Sequence, residues 1–109
     1  MSGIQCLDDA SFANAALKKG QRVVVDFWAP WCSPCIGIGK RLEEIAPNFE
    51  GKLMIVKVNA DEAVEVASQY GVRGLPTLIL IKDAKHVDTS VGALSSGKLD
   101  ALLQKWSAV

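Results

Sequence analysis

An α/β fold with a mixed central sheet and helices on both faces is predicted by three features of the sequence. The runs RVVVDFWA (22–29) and KLMIVKVNA (52–60) are almost unbroken in apolar and β-branched residues, the pattern of strands covered on both sides. Amphipathic stretches of helical period alternate with them. The segment PTLILIKDAKHVDTSVG (76–92) reads as two strands folded back on each other. The resulting order is β-α-β-α-β-α-β-β-α, five strands and four helices. Alternation first and a hairpin last point to a parallel core with an antiparallel edge. At 109 residues the chain fits one domain spanning 1–109.

IQCL (4–7) reads as a short first strand. In DDASFANAALKKG, Asp8 or Asp9 can cap a helix, Phe12, Ala16 and Leu17 form its apolar stripe, and Gly20 ends it. After the cysteine pair, helical spacing runs through Ile38, Leu42, Ile45 and Phe49 to Gly51. DEAVEVASQYG predicts a short helix with Val64, Ala67 and Tyr70 on its inner stripe. The hairpin turns at Asp83-Ala84. SSGKLDALLQKW ends the chain as a helix with Leu99, Leu102, Leu103 and Trp106 on one face.

Composition narrows the function. Half of the residues are hydrophobic, and twelve basic residues balance twelve acidic ones. A nucleic-acid platform or a membrane-surface binder needs a basic excess that is missing here. No apolar stretch approaches the roughly 20 residues of a membrane span. The opening MSGIQCLDDASF has neither the basic nor the apolar region of an export signal. The expected compartment is the cytoplasm, where structural disulfides are uncommon.

Against that background WCSPC (31–35) stands out. Its cysteines can be ordinary core residues, half of a metal site or a redox pair. Zinc normally takes four ligands, and this pair supplies two, so Cys6 and the distant His86 would have to help. The redox reading fits the context better. A buried-type strand precedes the pair, and Pro34 suits the first turn of a helix. Cys32 then sits at the positive end of the helix dipole, which favours a thiolate. The two-residue spacing lets either thiol close a small ring with the other.

Two charges interrupt the apolar runs. Asp26 breaks VVVDFW and is either a strand-edge residue or a buried acid of raised pKa, placed to take a proton beneath the cysteines. Lys57 breaks MIVKVNA, either as a solvated strand residue or as the partner of Asp26. Pro76, in Gly74-Leu75-Pro76-Thr77, belongs at a strand start. Its bond would ordinarily be trans, since only about 5–6% of such bonds are cis.

Taken together, DFWAPWCSPC, VKVNAD, YGVRGLPTLILIKD and SVGAL closely resemble thioredoxin, in order and spacing, from about Phe12 to Trp106. The resemblance implies the thioredoxin fold, a five-stranded mixed sheet flanked by four helices, with a cis Leu75–Pro76 bond facing the cysteines. It implies a protein-disulfide reductase in which Cys32 is the exposed nucleophile and Cys35 the buried resolving thiol. Asp26 matches the acid that exchanges a proton with Cys35, and Lys57 its partner. Trp28 matches the tryptophan packed behind the site. Trp31, Gly74, Leu75, Pro76, Gly92 and Ala93 fall where the family docks its clients, with Ser33 and Pro34 bordering that surface. The implied partners are disulfide-containing clients and a thioredoxin-reductase-type electron donor. The Cys32–Cys35 disulfide itself is the redox group, with no metal or organic cofactor, and the expected state is a monomer. The alternatives are a disulfide isomerase or oxidant, a client-specific redox partner, or a binding module that uses the same groove.

The chain departs from the family pattern around the cysteines. Ser33 replaces the usual glycine, and Ile36 replaces a residue that is commonly basic. Lys40 stands where a proline usually kinks the helix, after Gly37 and Gly39. These changes predict a higher thiol pKa at Cys32 and a straighter helix with a soft first turn. Ala84 is strained at a turn position of positive φ, which predicts another turn type. Cys6 reads as a buried core thiol.

Overall fold

The computed structural model describes residues 4–109. Five strands form one sheet: β1 (Gln5–Leu7), β2 (Arg22–Trp28), β3 (Met54–Asn59), β4 (Thr77–Lys82) and β5 (Lys85–Val91). Their spatial order is β1-β3-β2-β4-β5. β1 and β2 flank β3 in parallel, whereas β4 is antiparallel to both β2 and β5. The helices are α1 (Phe12–Ala16), α2 (Ser33–Ile45), α3 (Val64–Gln69) and α4 (Ser96–Ser107).

The near-continuous hydrophobicity of β2 and β3 has a direct cause, because both faces of the sheet are covered. On one face Val24, Ile55, Leu78 and Leu80 pack against Ile38, Leu42 and Ile45 of α2 and Leu99, Leu103 and Trp106 of α4. On the other, Val25, Phe27, Val56, Val58 and Ile79 pack against Phe12 and Ala16 of α1 and Val66 and Ala67 of α3. Because β1, β3 and β2 run parallel, their carboxyl ends lie together, and the cysteine loop leaves the sheet at that end.

Several local expectations need correction. α1 stops at Ala16, short of Gly20, which instead takes φ 82° in the turn that follows. Asp8 caps the turn that enters α1, its carboxylate accepting the Ser11 N–H at 2.8 Å. Asp9 instead reaches across to α3 and accepts from the N–H groups of Val66 (2.8 Å) and Glu65 (3.3 Å). The inner stripe of α3 is Val66 and Ala67, beside buried Ala63, and Val64 is 62% exposed. α2 ends at Ile45, and Phe49 lies in a 3₁₀ turn (Ala46–Phe49) containing Pro47, which lacks the N–H a further α-helical turn would use. The hairpin keeps positive φ at both Asp83 (52°) and Ala84 (68°), so alanine is held in the left-handed region after all. The Asp83 carboxylate anchors this turn by accepting the Gly20 N–H at 2.7 Å.

Cys6 is exposed, not buried. β1 is the outermost strand of the sheet, and at Cys6 its α2-side face is open to solvent.

Candidate redox site

Three segments meet at the carboxyl end of β2. After Trp28 the chain turns at Ala29, whose carbonyl accepts the Cys32 N–H at 3.1 Å, and Cys32 becomes the N-cap of α2. The Cys32 sulfur accepts the Cys35 N–H at 3.3 Å, so a sulfur does what a serine or aspartate oxygen does at other helix starts. Pro34 occupies the first turn, where its missing N–H is not needed. Cys32 and Cys35 are joined in a disulfide with Cα atoms 5.3 Å apart. The expected contrast in exposure between them is small, since Cys32 is 5% and Cys35 2% exposed. In the closed bridge both cysteines pack with Ala29, Trp28 and Leu75.

Asp26, two residues before the end of β2, is fully buried on the α2 side of that strand, and neither carboxyl oxygen has a hydrogen-bond partner among the described residues. Burial pushes its pKa from 3.8 up to about 7, and the Lys57 charge pulls in the opposite direction. The register explains the coupling, because Asp26 and Lys57 are direct neighbours across the β2–β3 pair. The Lys57 ammonium lies 4.8 Å from the centroid of the Trp28 ring, a cation–π contact, and the buried Trp28 indole N–H has no acceptor among the described residues. Lys57 is therefore the electrostatic neighbour of Asp26, resting on the indole and not hydrogen-bonded to the carboxyl.

The surface beside the disulfide gathers the other expected residues. The Leu75–Pro76 bond is cis. The Gly74 carbonyl is taken by the Thr77 hydroxyl at 2.6 Å and the Pro76 carbonyl by the Gly92 N–H at 2.9 Å. Gly92 has φ 98°, a conformation that suits glycine. Half-buried Leu75, between these two, leaves its own backbone N–H and carbonyl without a hydrogen bond to another described residue. Trp31 is 70% exposed on one side of the disulfide, and Pro34 and Ala93 line a groove of about 340 Å³ on the other. Ser33 is exposed at the first position of α2.

Sequence reasoning missed Asp61. Its carboxylate accepts the Trp31 indole N–H at 2.9 Å, holding the exposed ring in place. The hints were its place two residues beyond β3 and at the end of the VKVNAD stretch. A zinc site gains no support, since Cys6 and His86 lie on β1 and β5, opposite edges of the sheet. Among the described residues, no group of three or more His, Cys, Asp or Glu is placed to hold a metal ion.

Comparison with known proteins agrees with this geometry. A family model for thioredoxin matches residues 3–105. Thioredoxin 1 of Nostoc sp. is 45% identical over 105 residues, covering 96% of this chain and 98% of the relative. Thioredoxin of Synechocystis sp. is 43% identical over 106 residues, 97% of this chain and 99% of the relative. Thioredoxin of Pseudomonas aeruginosa is 48% identical over 95 residues, 87% and 88% of the two chains. With similarity of that degree over almost the whole length, the chain belongs to the thioredoxin family.

Proposed function

We propose that Cys32 opens disulfides in client proteins and that Cys35 releases the client, with Asp26 as the proton acceptor. Thiol-disulfide oxidoreductase activity follows from the family and from the closed cysteine pair. The residue roles rest on one observation above all, a fully buried carboxyl of pKa about 7 on the strand that leads into a disulfide at a helix N-terminus.

In the reduced protein the Cys32 thiolate attacks one sulfur of a client disulfide. An S–S bond forms between Cys32 and the client, and the second client sulfur leaves as a thiolate. Cys35 then loses its proton to the Asp26 carboxylate and attacks the Cys32 sulfur. The Cys32–Cys35 bond closes, the mixed disulfide breaks, and the client leaves with both sulfurs reduced. Two electrons pass from this chain to the client. A base with pKa near 7 suits that transfer at neutral pH.

Leu75 supports the docking role. Its unpaired backbone groups beside the disulfide fit an extended client segment added as a short strand. Trp31, Ser33, Pro34, Gly74, Pro76, Gly92 and Ala93 border that path, and Trp28 backs it. The chemistry needs only thiols on this chain, so no organic cofactor or metal enters. Restoring the dithiol needs a two-electron donor, a reductase of the thioredoxin-reductase type, and one copy of the chain suffices for the cycle.

No helix among the described residues is long and apolar enough to cross a membrane. An exposed free thiol at Cys6 persists best in reducing surroundings, which favours the cytoplasm.

The deciding experiment is the reduction potential of Cys32–Cys35 in defined thiol/disulfide buffers, read by tryptophan fluorescence. A value near about −270 mV, the known value for thioredoxin, supports client reduction. One between about −180 and −120 mV overturns it in favour of isomerase or oxidant chemistry. Client binding and biological output that survive Cys32→Ser would show a binding module instead.

A further inference from the structure

One face of α2 does not close against the segment 93–96 that leads into α4, and the groove of about 340 Å³ lies between them. Pro34, Gly37, Ile38 and Arg41 stand at i, i+3, i+4 and i+7 and form one wall. Ala93 and Leu94 belong to the other, and buried Ile38 and Leu99 give the groove an apolar floor. Glycine weakens a helix interior, and packing gives no reason for it at 37, where a methyl carbon would meet nothing within 4 Å. A helical side chain leans back over the preceding turn. One at 37 would therefore lie beside Pro34, at the mouth of the groove.

The groove has no free charge to offer. Arg41, its one charged lining residue, is held by Asp100 at 3.1 Å and by Glu44 at 3.6 Å. The Ser95 hydroxyl is spent on capping α4, where it accepts the Lys98 N–H at 3.2 Å. A charged side chain would enter without a counter-ion, at a cost that an apolar one avoids. What reaches the groove is set by its mouth. Pro34 directly precedes Cys35 and Ala93 directly follows Gly92, so both border the disulfide surface as well as the groove. A client whose cysteine exchanges with Cys32 passes over this mouth. In an extended segment, side chains two residues apart share a face and stand about 7 Å apart. One such step exceeds the 5.3 Å between the Cα atoms of Cys32 and Cys35 and carries a side chain past the bridge.

We propose that the groove between α2 and α4 is a client-specificity subsite: it takes a bulky, uncharged apolar side chain two residues from the client cysteine, and Gly37 keeps it open. Its use in turnover rests on the proposed exchange at Cys32, but the seat of the side chain can be read without turnover.

The test uses symmetric disulfides of seven-residue peptides with a central cysteine and leucine, glycine or aspartate at both positions two residues away. Each rate is taken relative to that of a small aryl disulfide, so a change in the Cys32 thiol itself cancels. For the parent, kcat/KM should be about tenfold higher with leucine than with glycine or aspartate, mainly through KM, the low end of what an apolar pocket discriminates. Gly37→Leu should reduce that preference to less than about threefold. Lys40→Leu, which adds the same bulk at an exposed position outside the groove, should keep it. The proposal is overturned if the parent shows no preference, if Gly37→Leu leaves it unchanged, or if Lys40→Leu removes it equally. The seat is read in a Cys6→Ser, Cys35→Ala protein. There the Cys32 thiolate displaces nitropyridinethiolate from an activated leucine peptide, and an S–S bond to the peptide forms. Nuclear Overhauser contacts from the peptide leucine methyls to those of Ile38 and Leu99 are expected. Contacts to Trp31 and Val72 alone would place the side chain across the disulfide and overturn the proposal. A parent that sediments as a dimer and separates on Gly37→Leu would give the groove to a second copy, which also overturns it. If the parent reduces the aryl disulfide but no peptide, the client-reduction reading fails, while the linked peptide still decides the groove.

Discussion

Replacing Asp26 with alanine should make the oxidised protein more stable, and increasingly so as pH rises. The carboxyl is fully buried without a hydrogen-bond partner among the described residues, and its pKa stands at about 7 against an ordinary 3.8. Below pH 3.8 it is protonated in both the folded and the unfolded chain and contributes no pH dependence. Between 3.8 and about 7 the unfolded chain ionises while the folded one keeps its proton, so stability falls with rising pH. Above about 7 both are ionised and the penalty is constant. At about 1.4 kcal/mol per pH unit the full penalty is about 4 kcal/mol. The small void left by alanine offsets about 0.5 kcal/mol of the gain at every pH. The advantage of Asp26→Ala over the parent should therefore grow by about 3–4 kcal/mol between pH 4 and pH 8. Guanidinium unfolding of both proteins across that range, with the disulfide kept closed, measures it directly. An advantage that does not change with pH, or that shrinks as pH rises, would refute the reasoning.

The remaining predictions concern single side chains. Ala84→Gly relieves an alanine held at φ 68° and should stabilise the protein by about 0.5–1 kcal/mol in thermal or denaturant unfolding. Asp88→Ala leaves the buried Trp106 indole N–H without its acceptor, now at 2.8 Å, and should cost about 1–3 kcal/mol in denaturant unfolding. The Trp106 hydrogen bond lowers the Asp88 pKa, so this contribution is present above the ordinary carboxylate range and fades as pH falls through the folded value. Ile36→Lys places a cation in the first turn of α2, where Ile36 is 44% exposed, and should lower the Cys32 thiol pKa in the reduced protein. Alkylation rate against pH checks this, and an unmoved or higher midpoint contradicts it.

What was legible in the sequence depended on whether the deciding contact was local. β2 and β3 could be read because double-sided burial writes itself into every residue of the run. The cysteine pair and Asp26 could be read because their residue types are out of place in their surroundings. Lys57 could only be left open, since its partner lies on another strand and its resting place on Trp28 needs both. Asp9 illustrates the limit most clearly. Next to an apolar stripe it looks like the cap of the following helix, yet it caps α3, more than fifty residues away. Val64 was assigned to the wrong face because Ala63 and Val66 set the phase of α3 against the sheet. Cys6 was misplaced because a short strand does not reveal that it will be an edge. Asp61 carries little local signal, since its role appears only when Trp31 is brought to it.

Asp26 weighs on stability and, as the proposed proton acceptor, on chemistry, which constrains how the site can be built. Native domains are stable by only about 5–15 kcal/mol, so a penalty of about 4 kcal/mol at Asp26 is a large fraction of the total. It must be carried by the two hydrophobic layers that pack the sheet. A hydrogen-bonded or fully solvated acid at this place would avoid the cost, but it would be ionised at neutral pH with little tendency to take a proton from Cys35. An acid buried without any neighbouring cation would stay protonated and could not take one either. The working range lies between these limits. Burial sets the upper one, and the Lys57 charge, seated on Trp28, lowers the carboxyl pKa against it. On reduction the cysteine thiols join the same set of protons, so the Asp26 and cysteine titrations become properties of the group as a whole. Substitutions at 57 should then alter the pH dependence of the whole site.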